Sequence, residues 1–270
     1  MYTILGGSGF IGSELVLELR RRKLNVFVPS KDDTSLFERP LGNVIYCIGV
    51  TSDYRQRHFD TIEAHVSYLN SLLHQSDFDS FLYLSSTRLY KNSIYTKEES
   101  SINVFPNEPD ELYNISKVMG ESICLSSQNK NVKVARLSNV CGNNFESSNF
   151  LYALCKETIK NKNIFLKDSL ESERDYIMIE NVIESLLMIA TQGQHRIYNV
   201  ASGYNLKNAQ VAELLKEITG YPIMVSQHAQ TIKFPLISVE RIKEEFDISS
   251  HSILHCYNKL IKNFISQQGS

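Results

Sequence analysis

Gly6-Gly7-Ser8-Gly9-Phe10-Ile11-Gly12 follows a short apolar run, Tyr2–Leu5, and opens an amphipathic stretch, Ile11–Arg22. The three spaced glycines have separate jobs. Gly6 permits a tight turn, Gly9 lets backbone N–H groups approach a pyrophosphate, and Gly12 lets helix and strand pack closely. The helix start, with the backbone of Phe10 and Ile11, then turns its partial positive charge towards the phosphates. A purely structural glycine turn is the other reading. Its place between a strand and a helix favours dinucleotide binding.

Working outward, strand-like and helical runs alternate. Asn25–Val28, Asn43–Ile48, Phe81–Ser85 and Val132–Leu137 read as strands. Phe59–His74 and Glu111–Ser127 read as helices between them. This alternation predicts an α/β fold, a Rossmann-type doubly wound parallel sheet with helices on both faces. Further on, Phe150–Lys160, Val182–Thr191 and Asn208–Thr219 look helical, and Asp175–Ile179 and Arg196–Val200 extended. Ile237–Ile248 and a helix after it close the chain. The expected division is a dinucleotide-binding domain over 1–145 with about 176–200. A smaller substrate lobe over 146–175 and 201–270 would cover the carboxyl ends of the strands, where ligands sit in open α/β sheets.

One connection is short. Only 18 residues separate Ser30 from Gly49, where two crossovers normally fit. A parallel crossover needs a dozen or more residues. One therefore fits, and the usual third strand is predicted to be missing, with the acidic residue that normally follows it.

The bulk properties narrow the function. The chain has 270 residues, 42% of them hydrophobic, with 28 basic and 30 acidic side chains and a formal net charge of −2. That balance excludes a general affinity for nucleic acid or an anionic membrane. There is no secretory signal pattern and no apolar run of about 18 residues. Cys47, Cys124, Cys141, Cys155 and Cys256 lack paired short spacing, so they read as buried thiols rather than disulfides or a metal site. A cytoplasmic enzyme without a metal is expected.

Tyr-x-x-x-Lys occurs twice, at Tyr113/Lys117 and Tyr152/Lys156. Each pair lies on one helical face. With 14 tyrosines in the chain, position must decide between them. Tyr113 follows the strand Phe81–Ser85 and its terminal Ser86 by 27 residues, whereas no such strand precedes Tyr152. Tyr152/Lys156 therefore reads as core and surface.

The chemistry favours the same choice. A free tyrosine titrates near 10 and is a poor base at neutral pH. A lysine ammonium about 5 Å away favours the phenolate by roughly two pKa units at an effective dielectric near 20. Tyr113 is then the candidate proton donor or acceptor for a substrate hydroxyl while hydride moves at that carbon. Ser86 is expected to hold the same oxygen, although a serine at a strand end is also a common cap. Lys117 is expected to bind the nicotinamide ribose as well, and Gly49 to lie against the cofactor. After the second strand, where a ribose-binding carboxylate is usual, stand Ser30 and Lys31. That pair points to NADP over NAD. Alternatively, Lys31 is a solvated lysine and Asp32 or Asp33 takes the ribose.

These residues make the chain resemble the extended short-chain dehydrogenase/reductase superfamily, and within it the NAD-dependent epimerase/dehydratase family acting on nucleotide sugars. The resemblance rests on the glycine motif, Leu84–Tyr90 (LSSTRLY), Tyr113–Lys117 (YNISK), Arg136–Gly142 (RLSNVCG) and Arg174–Val182 (RDYIMIENV), in family order. It implies substrate-binding roles for Asn139 and Asn149 and a diphosphate-gripping role for Arg174, a task that suits a planar guanidinium. A salt bridge from Arg174 to Asp175 or Glu173 is the plainer reading. The resemblance also implies a homodimer formed through the helices near Phe59–His74 and Glu111–Ser127.

Two departures stand out. The 4,6-dehydratases of the family carry Thr-Asp-Glu where this chain has Ser86-Thr87-Arg88, so their elimination acid and base are absent. His65 stands where an asparagine is usual. Its ordinary titration range permits a proton role, and a helix histidine packed against the sheet is the other reading. The leading expectation is a 4-ketoreductase of nucleotide sugars using NADPH. A 4-epimerase holding NAD tightly comes next, and a non-catalytic dinucleotide-binding sensor is the reading of another class.

Overall fold

The computed structural model describes residues 1–51, 53–142, 149–248 and 253–268. Tyr2–Leu5 forms β1, and Phe10–Arg21 forms α1. Val26–Phe27 is β2, Asn43–Tyr46 is β3, Ser80–Ser86 is β4 and Val132–Leu137 is β5. Between β3 and β4 run α2, His58–Ile62, a π-helical turn, Glu63–Ser67, and α3, Tyr68–Gln75. Leu112–Ser126 is α4.

The main sheet has six parallel strands in the order β2-β1-β3-β4-β5-β9, where β9 is Ile197–Val200. The chain steps from β1 out to β2 and then returns to the far side of β1 as β3. The crossover carries one 3₁₀ turn, Thr34–Phe37, and no additional strand. Among the described residues β2 is therefore the sheet edge, as the short connection predicts. The reversal of direction at β1/β3 opens a crevice at the carboxyl ends of those strands, the place where such sheets bind ligands.

Both faces of the sheet are covered. Leu15, Val16 and Leu19 of α1 join Ile4, Ile45, Leu82 and Ala135 in one apolar core. Val182, Leu186 and Ile189 of a later helix, α6 below, belong to the same core. On the other face Leu69 and Leu72 of α3 and Cys124 of α4 pack on Leu5, Val44, Tyr46, Phe81 and Val134. Strands buried on both sides read as near-continuous apolar runs, which is why β3 and β4 were legible; β5 carries Lys133 and Arg136 between its apolar residues.

The second half builds a separate core. It holds the short strands β6, Asn139–Cys141, β7, Ile164–Leu166, and β8, Glu173–Met178, with α5, Phe150–Asn161, between β6 and β7. Ile179–Gln192, α6, leads back to β9 in the main sheet. Then come β10, Asn205–Lys207, α7, Asn208–Thr219, and β11, Ile223–Val225. The chain ends with α8, Glu240–Phe246, and α9, Ile253–Gln268. β10, β8 and β6 form one small sheet, and β11 and β7 another. Leu151, Leu154, Tyr176, Val211, Leu215, Tyr257 and Ile261 gather in the core of this half. Ile237, Val239 and Ile242 pack instead on the main sheet. The expected boundary at 145/146 lies outside the described residues.

Among the described residues no helix is long and apolar enough to cross a membrane, and no group of three or more His, Cys, Asp or Glu side chains is placed to hold a metal. The five cysteines are free thiols.

Candidate active site

The glycine turn joins β1 to α1 at the crevice. Gly6 has φ +81°, a conformation that favours glycine, and a Cβ there would lie 3.0 Å from the backbone of Cys47 and Ile48 after β3. Gly12 is pressed closer still: a Cβ there would lie 2.2 Å from the Gly6 carbonyl oxygen. Gly9 is the N-cap of α1 and supplies no side-chain cap, so the first-turn N–H groups keep their bonding capacity. A Cβ on Gly9 would meet only the Gly6 oxygen, at 3.4 Å, with open space otherwise. These features fit a dinucleotide pyrophosphate.

A cleft of about 680 Å³ follows the turn. Gly6, Ser30, Lys31 and Gly49 line it, together with Asp32 and Tyr68. Phe10 and Ile11 pack behind the turn, against the main core. Asp33 is occupied elsewhere: its carboxylate accepts from the Ser35 N–H at 3.0 Å and caps the 3₁₀ turn. Of the two acidic alternatives, Asp32 is the one on the cleft.

Ser86 ends β4, and Tyr113 and Lys117 project from adjacent turns of α4. The structure sets Tyr113 beside Ser86 and holds Lys117 against the same strand. The Ser86 side chain lies close enough to the Tyr113 hydroxyl to lower its pKa. The Ser86 Oγ also accepts from the Arg88 N–H at 3.2 Å, so it caps the following 3₁₀ turn and meets Tyr113 at once. Lys117 is 4% exposed, and its Nζ donates to the Leu84 carbonyl at 2.8 Å and lies 4.8 Å from the Tyr83 ring centroid. A Cβ on Gly49 would come within 3.6 Å of that Nζ, so Lys117 reaches the floor of the cofactor cleft.

The electrostatics differ from the simple lysine–phenolate expectation. Burial raises the Tyr113 hydroxyl above its ordinary value, and Ser86 and Arg88 pull it back only in part. Burial also lowers Lys117 to about 7, with Glu121 opposing. For Tyr113 the loss of water outweighs the pull of Ser86 and Arg88, and for Lys117 it outweighs that of Glu121. Tyr113 therefore rests as a neutral phenol.

His65 is buried completely within the π-helical turn. Its Nε2 accepts from the Val50 N–H at 3.2 Å, so the bonding assigns the ring proton to Nδ1, which donates to Ser116 Oγ at 2.8 Å. Ser116 in turn donates to the Tyr113 carbonyl at 2.9 Å. The Tyr46 and Tyr83 hydroxyls donate to the Ala64 and His65 carbonyls of the same turn. Burial and the neighbouring Lys117 hold His65 down to about 2. The proton role that its ordinary pKa permitted is thus replaced by a neutral strut.

A second pocket, about 390 Å³, opens beside Ser86. Asn139 and Arg174 line it, as the resemblance implies, and so do Arg55, Arg88, Lys91 and Asp110. Asn139 donates to the Asp175 carbonyl at 2.8 Å. Arg174 pairs with Asp168 at 3.0 Å, a partner not foreseen, and stacks 5.2 Å from the Phe150 ring centroid. The Asp175 carboxylate instead accepts from Ser202, Gly203 and Tyr204. Asn149 caps α5, accepting from the Leu151 N–H at 3.2 Å, and does not line this pocket. Tyr152 is buried and bonded to Gly142, a core role as expected for the second Tyr-x-x-x-Lys pair.

Reading the sequence missed Arg55 and Arg88 as pocket residues, and Tyr54 as the partner of Arg88. The only signal was the Ser86-Thr87-Arg88 departure, which marked what was absent rather than what Arg88 contributes. It also missed the buried Arg136–Glu121 pair, at 2.6 Å, that locks α4 to β5.

The sequence profile of the NAD dependent epimerase/dehydratase family matches residues 2–201, and the chain belongs to that family. A comparison with curated proteins finds no match. Among solved structures the fold is similar to an NAD dependent NDP-hexosamine 5,6-dehydratase of tunicamycin biosynthesis, TunA, with TM-score 0.80 and 18% identity over 98% of this chain and 97% of that one. It is similar also to a UDP-glucose 4-epimerase of Thermotoga maritima solved with UDP-glucose, with TM-score 0.77 and 18% identity over 99% of each chain. RMD of Pseudomonas aeruginosa complexed with NADPH gives TM-score 0.77 and 20% identity over 98% and 100%.

Proposed function

We propose that the protein reduces a 4-keto sugar carried on a nucleotide diphosphate, with NADPH as the hydride source. The observation that carries this reading is Tyr113 set against Ser86, a residue of the second pocket, with Arg88 where the elimination chemistry of the 4,6-dehydratases uses a carboxyl group. The bound dinucleotide would supply a hydride, with both its electrons, to the carbonyl carbon. The Tyr113 O–H breaks, its proton forms the new hydroxyl, and the phenolate waits for a proton from solvent. Ser86 donates to the same oxygen and holds it in line. Lys117, between Leu84 and Gly49, is positioned to take ribose hydroxyls and to ease the charge left on Tyr113. A neutral resting Tyr113 suits the reductive direction, because the proton is already on the donor. Asn139 and Arg174 line the side of the pocket assigned to the nucleotide diphosphate.

Ser30 and Lys31 on the cleft wall support NADPH, since a hydroxyl and an ammonium accept a 2′-phosphate that a carboxylate repels. Asp32 on the same wall favours a second reading, a 4-epimerase that binds the ribose diol of NAD and returns the hydride to the other face of the sugar. Purified protein tests both. Exchangeable NADPH consumed on addition of a 4-keto nucleotide sugar supports the reductase. Tightly held NAD that survives purification, with interconversion of hexose epimers, supports the epimerase. A homodimer through the α2 and α4 faces is part of the proposal, supported by exposed Phe59, Ile62 and Met119. Light scattering of a Phe59→Glu variant against the unaltered chain tests it.

A further inference from the structure

Arg88 is a pocket cation with no direct ion pair among the described residues; the carboxylate whose pKa its charge helps lower, Asp110, is held by Arg55. Its Nη2 donates to the Tyr54 hydroxyl at 3.0 Å, and its guanidinium carbon lies 5.4 Å from the Tyr113 ring centroid and 5.3 Å from that of Tyr54. Among the described residues no carboxylate oxygen comes within 4.0 Å of it. The other two arginines of the pocket are matched. Arg55 forms a two-pronged pair with Asp110, one contact being 2.7 Å, and Arg174 pairs with Asp168. The Asp175 carboxylate is spent on the N–H groups after β9.

Two aromatic faces fix the plane of the Arg88 fork, and one hydrogen bond to Tyr54 leaves the rest of its donors unused among the described residues. A planar fork held rigidly beside a reacting centre matches a carboxylate, which pairs with guanidinium through two parallel hydrogen bonds. The location decides which anion. Arg88 packs against Tyr113, the residue that addresses the sugar carbon undergoing hydride transfer, whereas Arg174 sits on the small sheet of the other half.

We propose that Arg88 binds a carboxylate on the sugar ring itself, so that the substrate class is a nucleotide-activated uronic acid. This rests on the sugar-site reading of the pocket. It makes Arg88 a specificity-determining residue and explains a cation where the 4,6-dehydratases of the family keep a carboxyl group: an acid there would repel such a substrate.

Calorimetric titration of the whole chain tests the assignment. UDP, GDP and dTDP are titrated first to choose the base, and the hexose and hexuronate diphosphates of that base follow, against the unaltered protein and Arg88→Gln. The unaltered protein is expected to bind the hexuronate at least about tenfold more tightly than the hexose. Arg88→Gln is expected to bring the two within about twofold while binding the bare nucleotide as before, which also reports an intact fold. Arg88→Lys should restore part of the preference. A hexuronate bound no better than a hexose by the unaltered protein would overturn the proposal. Arg88→Gln weakening nucleotide, hexose and hexuronate alike would also overturn it, by assigning Arg88 to the diphosphate. If no nucleotide or nucleotide sugar binds the unaltered protein, the nucleotide-sugar reading itself fails and this assignment with it.

Discussion

His65 Nδ1 stands 2.8 Å from Ser116 Oγ, and through Ser116 it reaches the backbone of Tyr113. The other ring nitrogen holds the Val50 N–H beside the cofactor cleft. One neutral imidazole thus links the loop after β3 to the helix that carries Tyr113 and Lys117. A ring that must stay neutral makes the fold sensitive to acid. The folded pKa, about 2, lies below the ordinary 6.5, so the unfolded chain binds the extra proton between those values. Stability from this group is complete above pH 6.5 and falls below it, by at most about 1.4 kcal/mol per pH unit. Urea unfolding at pH 7.5, 6.5 and 5.5 should show the decline, and His65→Asn should flatten it while lowering stability at pH 7.5 by about 1–3 kcal/mol.

Lys117 makes the opposite side of neutrality informative. Burial brings it to about 7 from an ordinary 10.5. Folding then disfavours its protonated form, so stability rises as pH increases from about 7 to 10.5 and the contribution is lost as pH falls through 7. Lys117→Met should remove that rise and leave the unliganded protein at least as stable at pH 7. The same variant should lose most turnover, a trade of stability for function that is common where charges are buried at active sites.

Tyr113→Phe should leave dinucleotide affinity within about twofold and reduce kcat by roughly 10²–10⁴, the usual contribution of a positioned proton donor. Ser86→Ala should act twice, because Ser86 meets Tyr113 and caps the turn Thr87–Tyr90. A loss of about 0.5–2 kcal/mol of stability should accompany its lower kcat. Near wild-type turnover by Tyr113→Phe would remove Tyr113 from the mechanism.

The glycine turn separates folding from binding. Gly12→Ala places a methyl 2.2 Å from the Gly6 carbonyl oxygen, so the turn must open and the protein should lose stability. Gly9 has φ −77°, which alanine adopts freely, and its Cβ would meet only one atom, at 3.4 Å. Gly9→Ala should therefore unfold at the unaltered temperature and yet bind the dinucleotide at least about tenfold more weakly. Thermal melts with fluorescence titration of NADPH distinguish the two outcomes.

The sheet and the glycine turn were legible because most strands of the main sheet are dominated by apolar residues and because Gly6 and Gly12 meet local constraints that a side chain would break. The lost third strand was legible from chain length alone. Tyr113, Lys117 and Ser86 could be singled out because a strand end and a helix face bring them together by short-range geometry. Arg88, Arg55 and Tyr54 were not, because their roles depend on how the loops after β3 and β4 fold against each other. The small strands β6, β7, β10 and β11 were missed for a related reason. Runs of three residues carry too little periodicity, and only pairing with distant segments makes them strands. The Asn149 side chain caps α5, a role set by its place at the helix start.

β2, only Val26–Phe27, closes one flank of the main sheet. Strand edges left open are templates for unwanted pairing between chains. Here the template is two residues long, and Arg39 lies 4.3 Å over the Phe27 ring. A stump of that length, shielded by a guanidinium, gives another polypeptide almost no register to copy. Shortening the crossover thus trimmed the sheet without leaving it an adhesive margin.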